Sequence, residues 1–154
     1  MFFGSVQTRV DEKGRLKLPA NVKRDLDEGQ KFFITSEDGK RAQLYPWKEW
    51  ERRVDWMMKM GPSHPVRVRF DNATALYGGE AEMDNQGRVM LPSRLRVKAK
   101  LMNEEVSIIG KFLKKKEAEY PGYLEVMNDA DFVAEVESAP ITDEDRLVMS
   151  QFEG

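Results

Sequence analysis

A chain of 154 residues without a single cysteine can hold no disulfide, no thiolate metal site and no cysteine nucleophile, and it suits a reducing cytoplasm. Apolar residues make up 40% and charged residues 34%, which fits a soluble globular protein of one ordinary domain or two small modules. No apolar run is long enough for a membrane span, and the start MFFGSVQTRV lacks the basic and long apolar regions of a signal peptide.

The net charge of −2 is unevenly spread: residues 125–154 carry nine acidic groups and one basic group, which leaves the first 124 residues at +6. A basic working surface with an acidic tail fits this asymmetry, and so does a solvated acidic helix beside an ordinary body.

In chain order, SVQTRV (5–10) alternates as a strand does. DEKG supplies a turn, in which Asp can bond the backbone just after it and Gly can take positive φ. RLKLP puts Leu16 and Leu18 on one face and Arg15 and Lys17 on the other, so a tight β-hairpin over 5–18 is expected, ended by Pro19. ANVKRDL is a short helix, and KFFITS (31–36) with AQLYP (42–46) is a second hairpin across EDGKR. From Pro46, the residues Trp47, Trp50, Val54 and Met57 recur at helical spacing. MGPSHP breaks that helix, and residues 66–77 follow as another helix or an irregular apolar segment ending at Gly78-Gly79, a turn.

The pattern then restarts. EAEM (80–83) is a strand, DNQG a turn, RVMLP a strand, SRLRVKAKL a short helix, and VSIIG (106–110) pairs with YLEVM (123–127). DEKGRLKLP (11–19) and DNQGRVMLP (84–92) share five of nine residues at a constant offset of 73. Chance rarely matches Asp, Gly, Arg and Pro together in fixed register, so the chain is an internal duplication. Strands this short need cover, and two halves could close one small barrel about a pseudo-two-fold axis.

With its opening Met1-Phe2-x-Gly4, its two copies of Asp-x-x-Gly-Arg-x-x-Leu-Pro, its Leu44-Tyr-Pro-x-x-x-Trp50 run and its ALYGGEAEMDNQGR passage, the chain resembles the MraZ family of bacterial regulators, in the AbrB-like, swapped-hairpin superfamily. The resemblance covers roughly residues 1–136. It implies a mainly β (α+β) fold in which two duplicated AbrB-like half-modules form one pseudo-two-fold double-psi or swapped-hairpin β-barrel. The halves are 1–62 and 80–137, joined by a connecting helix over 63–79 and followed by an acidic tail over 138–154. It further implies a transcriptional regulator of the division and cell-wall gene cluster, cytoplasmic and nucleoid-associated. Such a regulator binds repeated boxes on double-stranded promoter DNA as a ring-like homo-oligomer. No catalysis, cofactor, metal, membrane or small-molecule substrate is expected.

The residues expected at the DNA follow from chemistry. Arg15 and Arg88 each sit one residue past a turn glycine, Gly14 or Gly87, and a guanidinium fork matches phosphate or the O6/N7 edge of guanine. A two-stranded ribbon can enter the major groove. Asp11 and Asp84 would repel phosphate, so they are expected to cap the turn or orient the neighbouring arginine. Lys13, Lys17, Arg94 and Arg96 are expected phosphate contacts, and Lys114-Lys115-Lys116 is either a further one or a solvated loop. Trp47, Trp50 and Trp56, at helical spacing, are expected in the core or at a subunit interface rather than stacked on bases. His64, the one histidine, is expected to have no metal or catalytic role.

Two rival readings use the same residues. Asp11 and Asp84 could meet across the axis as an enzyme's carboxylate dyad, although the Asp-Thr/Ser-Gly of aspartic proteases is absent. Alternatively, the chain could be an assembly protein of the AbrB-like fold that does not bind nucleic acid.

Overall fold

The computed structural model describes residues 4–112 and 122–153. The expected lysine run at 114–116 lies outside the described residues. In order, the elements are β1 (Ser5–Arg9), β2 (Arg15–Lys17), α1 (Ala20–Lys23), β3 (Lys31–Thr35), β4 (Arg41–Pro46), α2 (Trp47–Met58) and α3 (Pro65–Tyr77). They continue with β5 (Gly79–Glu82), β6 (Arg88–Met90), α4 (Ser93–Lys98), β7 (Glu105–Phe112), β8 (Gly122–Asn128), α5 (Asp129–Ser138) and α6 (Asp143–Ser150). Pro19, Pro46 and Pro92 stand immediately before α1, α2 and α4, where a residue that cannot continue a strand suits a helix entry.

All strand pairs are antiparallel. Six strands form one sheet in the order β1-β7-β8-β4-β3-β5, and β2 and β6 form a separate two-stranded ribbon. The hairpins β3–β4, with Ile34 opposite Leu44, and β7–β8, with Ile108 opposite Val126, match the sequence expectation. Two other expectations are corrected. First, β1 and β2 are not a hairpin. A single rung, Asp11 N–H to the Arg15 carbonyl at 2.9 Å, closes the turn, after which β1 leaves to pair with β7 and β2 pairs with β6. Second, no closed barrel is found among the described residues, because β1 and β5 are sheet edges. At one end of the ribbon the Leu91 N–H donates to the Gly14 carbonyl, at the other the Leu18 N–H donates to the Gly87 carbonyl, and Pro92 and Pro19 follow directly. Each proline lacks the N–H that would extend the ladder beyond Leu18 or Leu91.

Each half thus lends its first strand to the other: β1 pairs β7, and β5 pairs β3. The core lies between the ribbon and the sheet. Leu16, Leu18, Val89 and Leu91 descend from the ribbon, with Val22 and Leu95 from α1 and α4 beside them. Phe32, Ile34, Leu44, Val106, Ile108 and Val126 rise from alternate positions of the sheet, as strand periodicity requires. The sheet's other face is covered by α2 and α5. There Trp50 is buried, 4.2 Å from Phe33 and 5.5 Å from Tyr45 between ring centroids, while Trp56 at the far end of α2 is exposed. Helix α3 begins at His64, whose Nδ1 accepts the Val66 N–H at 3.1 Å, a helix-capping role that its loop setting did not suggest.

Asn128 caps α5 by accepting the Asp131 N–H, and Arg41 ties that helix to β4 through Glu135 at 2.6 Å. Helix α6 begins with a capping box of Thr142 and Asp145. Among the described residues, no helix is long and apolar enough to cross a membrane.

At the centre of the ribbon, Leu16 faces Val89, its own counterpart in the repeat, and both are essentially without exposure at 0% and 1%. Leu16→Ala is therefore expected to lower stability by about 2–5 kcal/mol. Leu147→Ala, at an exposed position of α6, is expected to change it by no more than about 0.5 kcal/mol. Urea unfolding followed by circular dichroism distinguishes the two.

Candidate nucleic-acid interface

The two copies of the repeated phrase adopt one conformation. Along Asp11–Ala20 and Asp84–Ser93 the sequence of buried, half-buried and exposed positions is the same residue for residue. In each copy the aspartate organises the turn. Asp11 Oδ1 accepts the N–H groups of Lys13 (3.0 Å) and Arg15 (2.9 Å), and its Oδ2 accepts Arg15 Nε at 2.7 Å. Asp84 does the same with Gln86, Arg88 and Arg88 Nε, each at 2.9 Å. Gly14 and Gly87, with φ of +90° and +77°, close the turns by donating their N–H to the aspartate carbonyls.

Each aspartate therefore binds through both oxygens, and each arginine is held by Nε. The Arg15 and Arg88 side chains engage the aspartates through Nε and stay partly exposed, at 29% and 25%. The backbone N–H of Arg15, against partial desolvation and with help from its guanidinium, holds the Asp11 carboxyl below its ordinary 3.8; the Arg88 N–H does so for Asp84. A carboxylate dyad sharing one proton requires the opposite, a raised value on one partner. The geometry favours orientation of arginine over proton transfer.

The ribbon sets both arginines on one face. Leu16 and Val89 point into the core, so Arg15, Lys17, Arg88 and Met90 point outward. Arg15 lies opposite Met90, and Lys17 lies opposite Arg88. Directly paired Cβ atoms in such a ladder stand about 5 Å apart and diagonal ones about 7–8 Å, which places Arg15 diagonally across from Arg88 within one small patch. Lys13 is exposed in the first turn, and Arg94 is exposed at the start of α4.

Arg96 has a structural task that the sequence did not suggest. It reaches from α4 across to the other half, where its Nη1 donates to the Lys13 carbonyl at 2.9 Å and its guanidinium lies over Gly14. A Cβ on Gly14 would overlap it. Its counterpart at the repeat offset, Lys23 of α1, lies over Gly87 in the same way, with Cδ at 3.0 Å from where a Cβ would stand. Helix-borne cations of one half thus pack on the turn of the other. The signal available in the sequence was the offset itself, since 23 and 96 differ by 73. An open hollow of about 270 Å³ beside the second turn is lined by Lys23, Asp27, Glu28 and Asp84 among others, so carboxylates flank that turn. Among the described residues, no group of three or more His, Asp or Glu is placed to hold a metal ion.

A family model described as "MraZ protein, putative antitoxin-like" matches residues 77–139. The chain is 42% identical over 154 residues to the transcriptional regulator MraZ of Acidobacterium capsulatum, with 99% of each protein covered. It is 41% identical over 153 residues to the protein of that name from Koribacter versatilis, with 97% of each covered. It is 37% identical over 114 residues to that from Desulforamulus reducens, covering 70% of this chain and 75% of the relative. The chain belongs to the MraZ family.

Two outcomes test the turn geometry. Gly14→Ala forces a side chain into positive φ and displaces Arg96, so a loss of about 1–3 kcal/mol is expected in denaturant titration. The depressed carboxyls of Asp11 and Asp84 contribute stability that is present above their ordinary 3.8 and is lost as pH falls through their lower folded values. Thermal midpoints measured from pH 5 down to pH 2 should therefore fall less steeply in Asp11→Asn/Asp84→Asn than in the parent chain.

Proposed function

We propose that this chain regulates transcription by binding double-stranded DNA through the outer face of the β2–β6 ribbon. The observation that carries the proposal is the placement of Arg15, Lys17 and Arg88 on one exposed two-stranded face, with both arginines pre-oriented by aspartate. A ribbon of this width fits the major groove, and an arginine held by Nε keeps the paired terminal donors that suit guanine O6 and N7. Lys13, Lys17 and Arg94 would lie along the flanking phosphates, where they position without specifying. Arg96 would act mainly through the Gly14 turn. The names of the relatives, all transcriptional regulators, support the same reading.

One ribbon offers few base contacts, so the proposal includes a ring-like homo-oligomer on repeated promoter boxes, controlling the division and cell-wall gene cluster from the nucleoid. Joining subunits raises affinity by roughly 10²–10⁴ when the boxes match their spacing. The exposed apolar residues of α2 and α3, Trp56, Met58, Val66, Val68 and Leu76, support self-association. Two AbrB-like half-modules, 1–62 and 80–137, joined over 63–79 and trailed by 138–154, account for the repeated turns.

The test is fluorescence anisotropy on the DNA upstream of the chain's own gene, with an unrelated duplex as control, at two salt concentrations. Arg15→Ala and Arg88→Ala should each weaken specific binding by about 1–3 kcal/mol. Lys17→Ala should weaken both duplexes alike and reduce the salt slope by about 1. Equal, weak binding of both duplexes by the parent chain would refute DNA recognition and favour an assembly protein.

A further inference from the structure

The ribbon's outer face breaks the symmetry that its inner face keeps. Inside, Leu16 faces Val89, apolar against apolar. Outside, perfect duplication would give two identical Arg–Lys pairs, because position 90 is the counterpart of position 17 at the offset of 73. Lys17 does face Arg88, but Arg15 faces Met90. One end of the ribbon is wholly cationic and the other pairs a cation with a thioether.

Met90 is not a core residue at the margin. It is 46% exposed, while its neighbours Val89 and Leu91 are buried at 1% and 0%. A single exposed methionine on a protein surface ordinarily needs no explanation. This one shares a face of four outward positions with Arg15, Lys17 and Arg88, and the solvated lysine at its counterpart position in the other copy shows that a charged residue fits. An unbranched, polarizable side chain adapts to an irregular apolar surface. In the major groove the one apolar group that a base edge presents is the C5-methyl of thymine.

We propose that Met90 is a specificity-determining residue that seats against the C5-methyl of a thymine, next to the base contacted by Arg15. This rests on the DNA-binding reading given above. It assigns the two arginines different neighbours on the DNA: Arg88 works beside Lys17, and Arg15 works beside an apolar reader.

The experiment has two stages and uses the full chain. Duplexes are selected from a randomised pool to define the bound box. Each thymine of that box is then replaced in turn by deoxyuridine, which removes only the methyl, and affinity is measured for the parent chain and Met90→Ala. The expected result is one thymine whose replacement weakens the parent about fourfold, as for one buried methyl group. Met90→Ala should bind the thymine and deoxyuridine boxes equally, with its requirement at the other positions unchanged. A second variant, Met90→Lys, restores the residue of the first copy and should likewise be indifferent to the methyl. If no replacement changes parent affinity by as much as twofold, or if Met90→Ala retains the sensitivity, the role of Met90 is overturned while DNA binding stands. If the pool yields no enriched sequence, DNA recognition itself is overturned, and this proposal with it.

Discussion

The rung between Leu16 and Val89 is the constraint on which the rest of the molecule depends. It joins the two copies of the repeat at the one position where each meets its own counterpart, so it lies on the local pseudo-two-fold axis. Because side chains alternate along a strand, burying these two residues fixes the outward direction of Arg15, Lys17, Arg88 and Met90. A slip of one residue would turn a guanidinium toward Phe32, Ile34 and Leu44. The cost of desolvating that charge holds the register, so core packing and presentation of the cationic face are one and the same choice.

Around that rung, each arginine is positioned from three sides. The strand supplies its direction, the aspartate holds its Nε, and the turn glycine lets the chain bend tightly enough to bring the two together. The packing of Arg96 on Gly14 and of Lys23 on Gly87 then braces each turn with a helix of the opposite half. The result is a face whose two arginines have less freedom to lose when they meet a ligand, which favours affinity in a small interface.

Much of this was legible in the sequence, for identifiable reasons. The offset of 73 located both turns, and alternation assigned Leu16 inward and Arg15 outward. The hairpins β3–β4 and β7–β8 were legible because their partners are adjacent in the chain and their apolar residues alternate. The partners of β1, β2, β5 and β6 were not legible. A Gly-containing turn between two short alternating runs signals a hairpin, and nothing local says that the second run prefers a strand from the other half. The closed barrel failed as an expectation for a related reason, since periodicity tells which face is buried but not whether edges meet. Arg96 resembled one more surface cation, because its contact with Gly14 spans two modules. The acidic tail is helical: Asn128 caps α5 and Thr142 caps α6, while Leu147 of α6 and Phe152 just beyond it are exposed, so no buried face marked these elements in the sequence.

The exchange of first strands has a consequence for how the chain reaches this state. Ser5 finds its partner at Ile109, and Lys31 finds its partner at Glu82, so neither half can complete its portion of the sheet alone. During synthesis the β3–β4 hairpin can form early from local contacts, while β1 must wait unpaired until β7 has left the ribosome. Such distant pairings place the rate-limiting step late and make it slow. Until then an extended edge and the apolar side chains of Leu16 and Leu18 stand open to other chains. The same interlacing that makes the two modules inseparable once folded makes the nascent chain dependent on rapid completion.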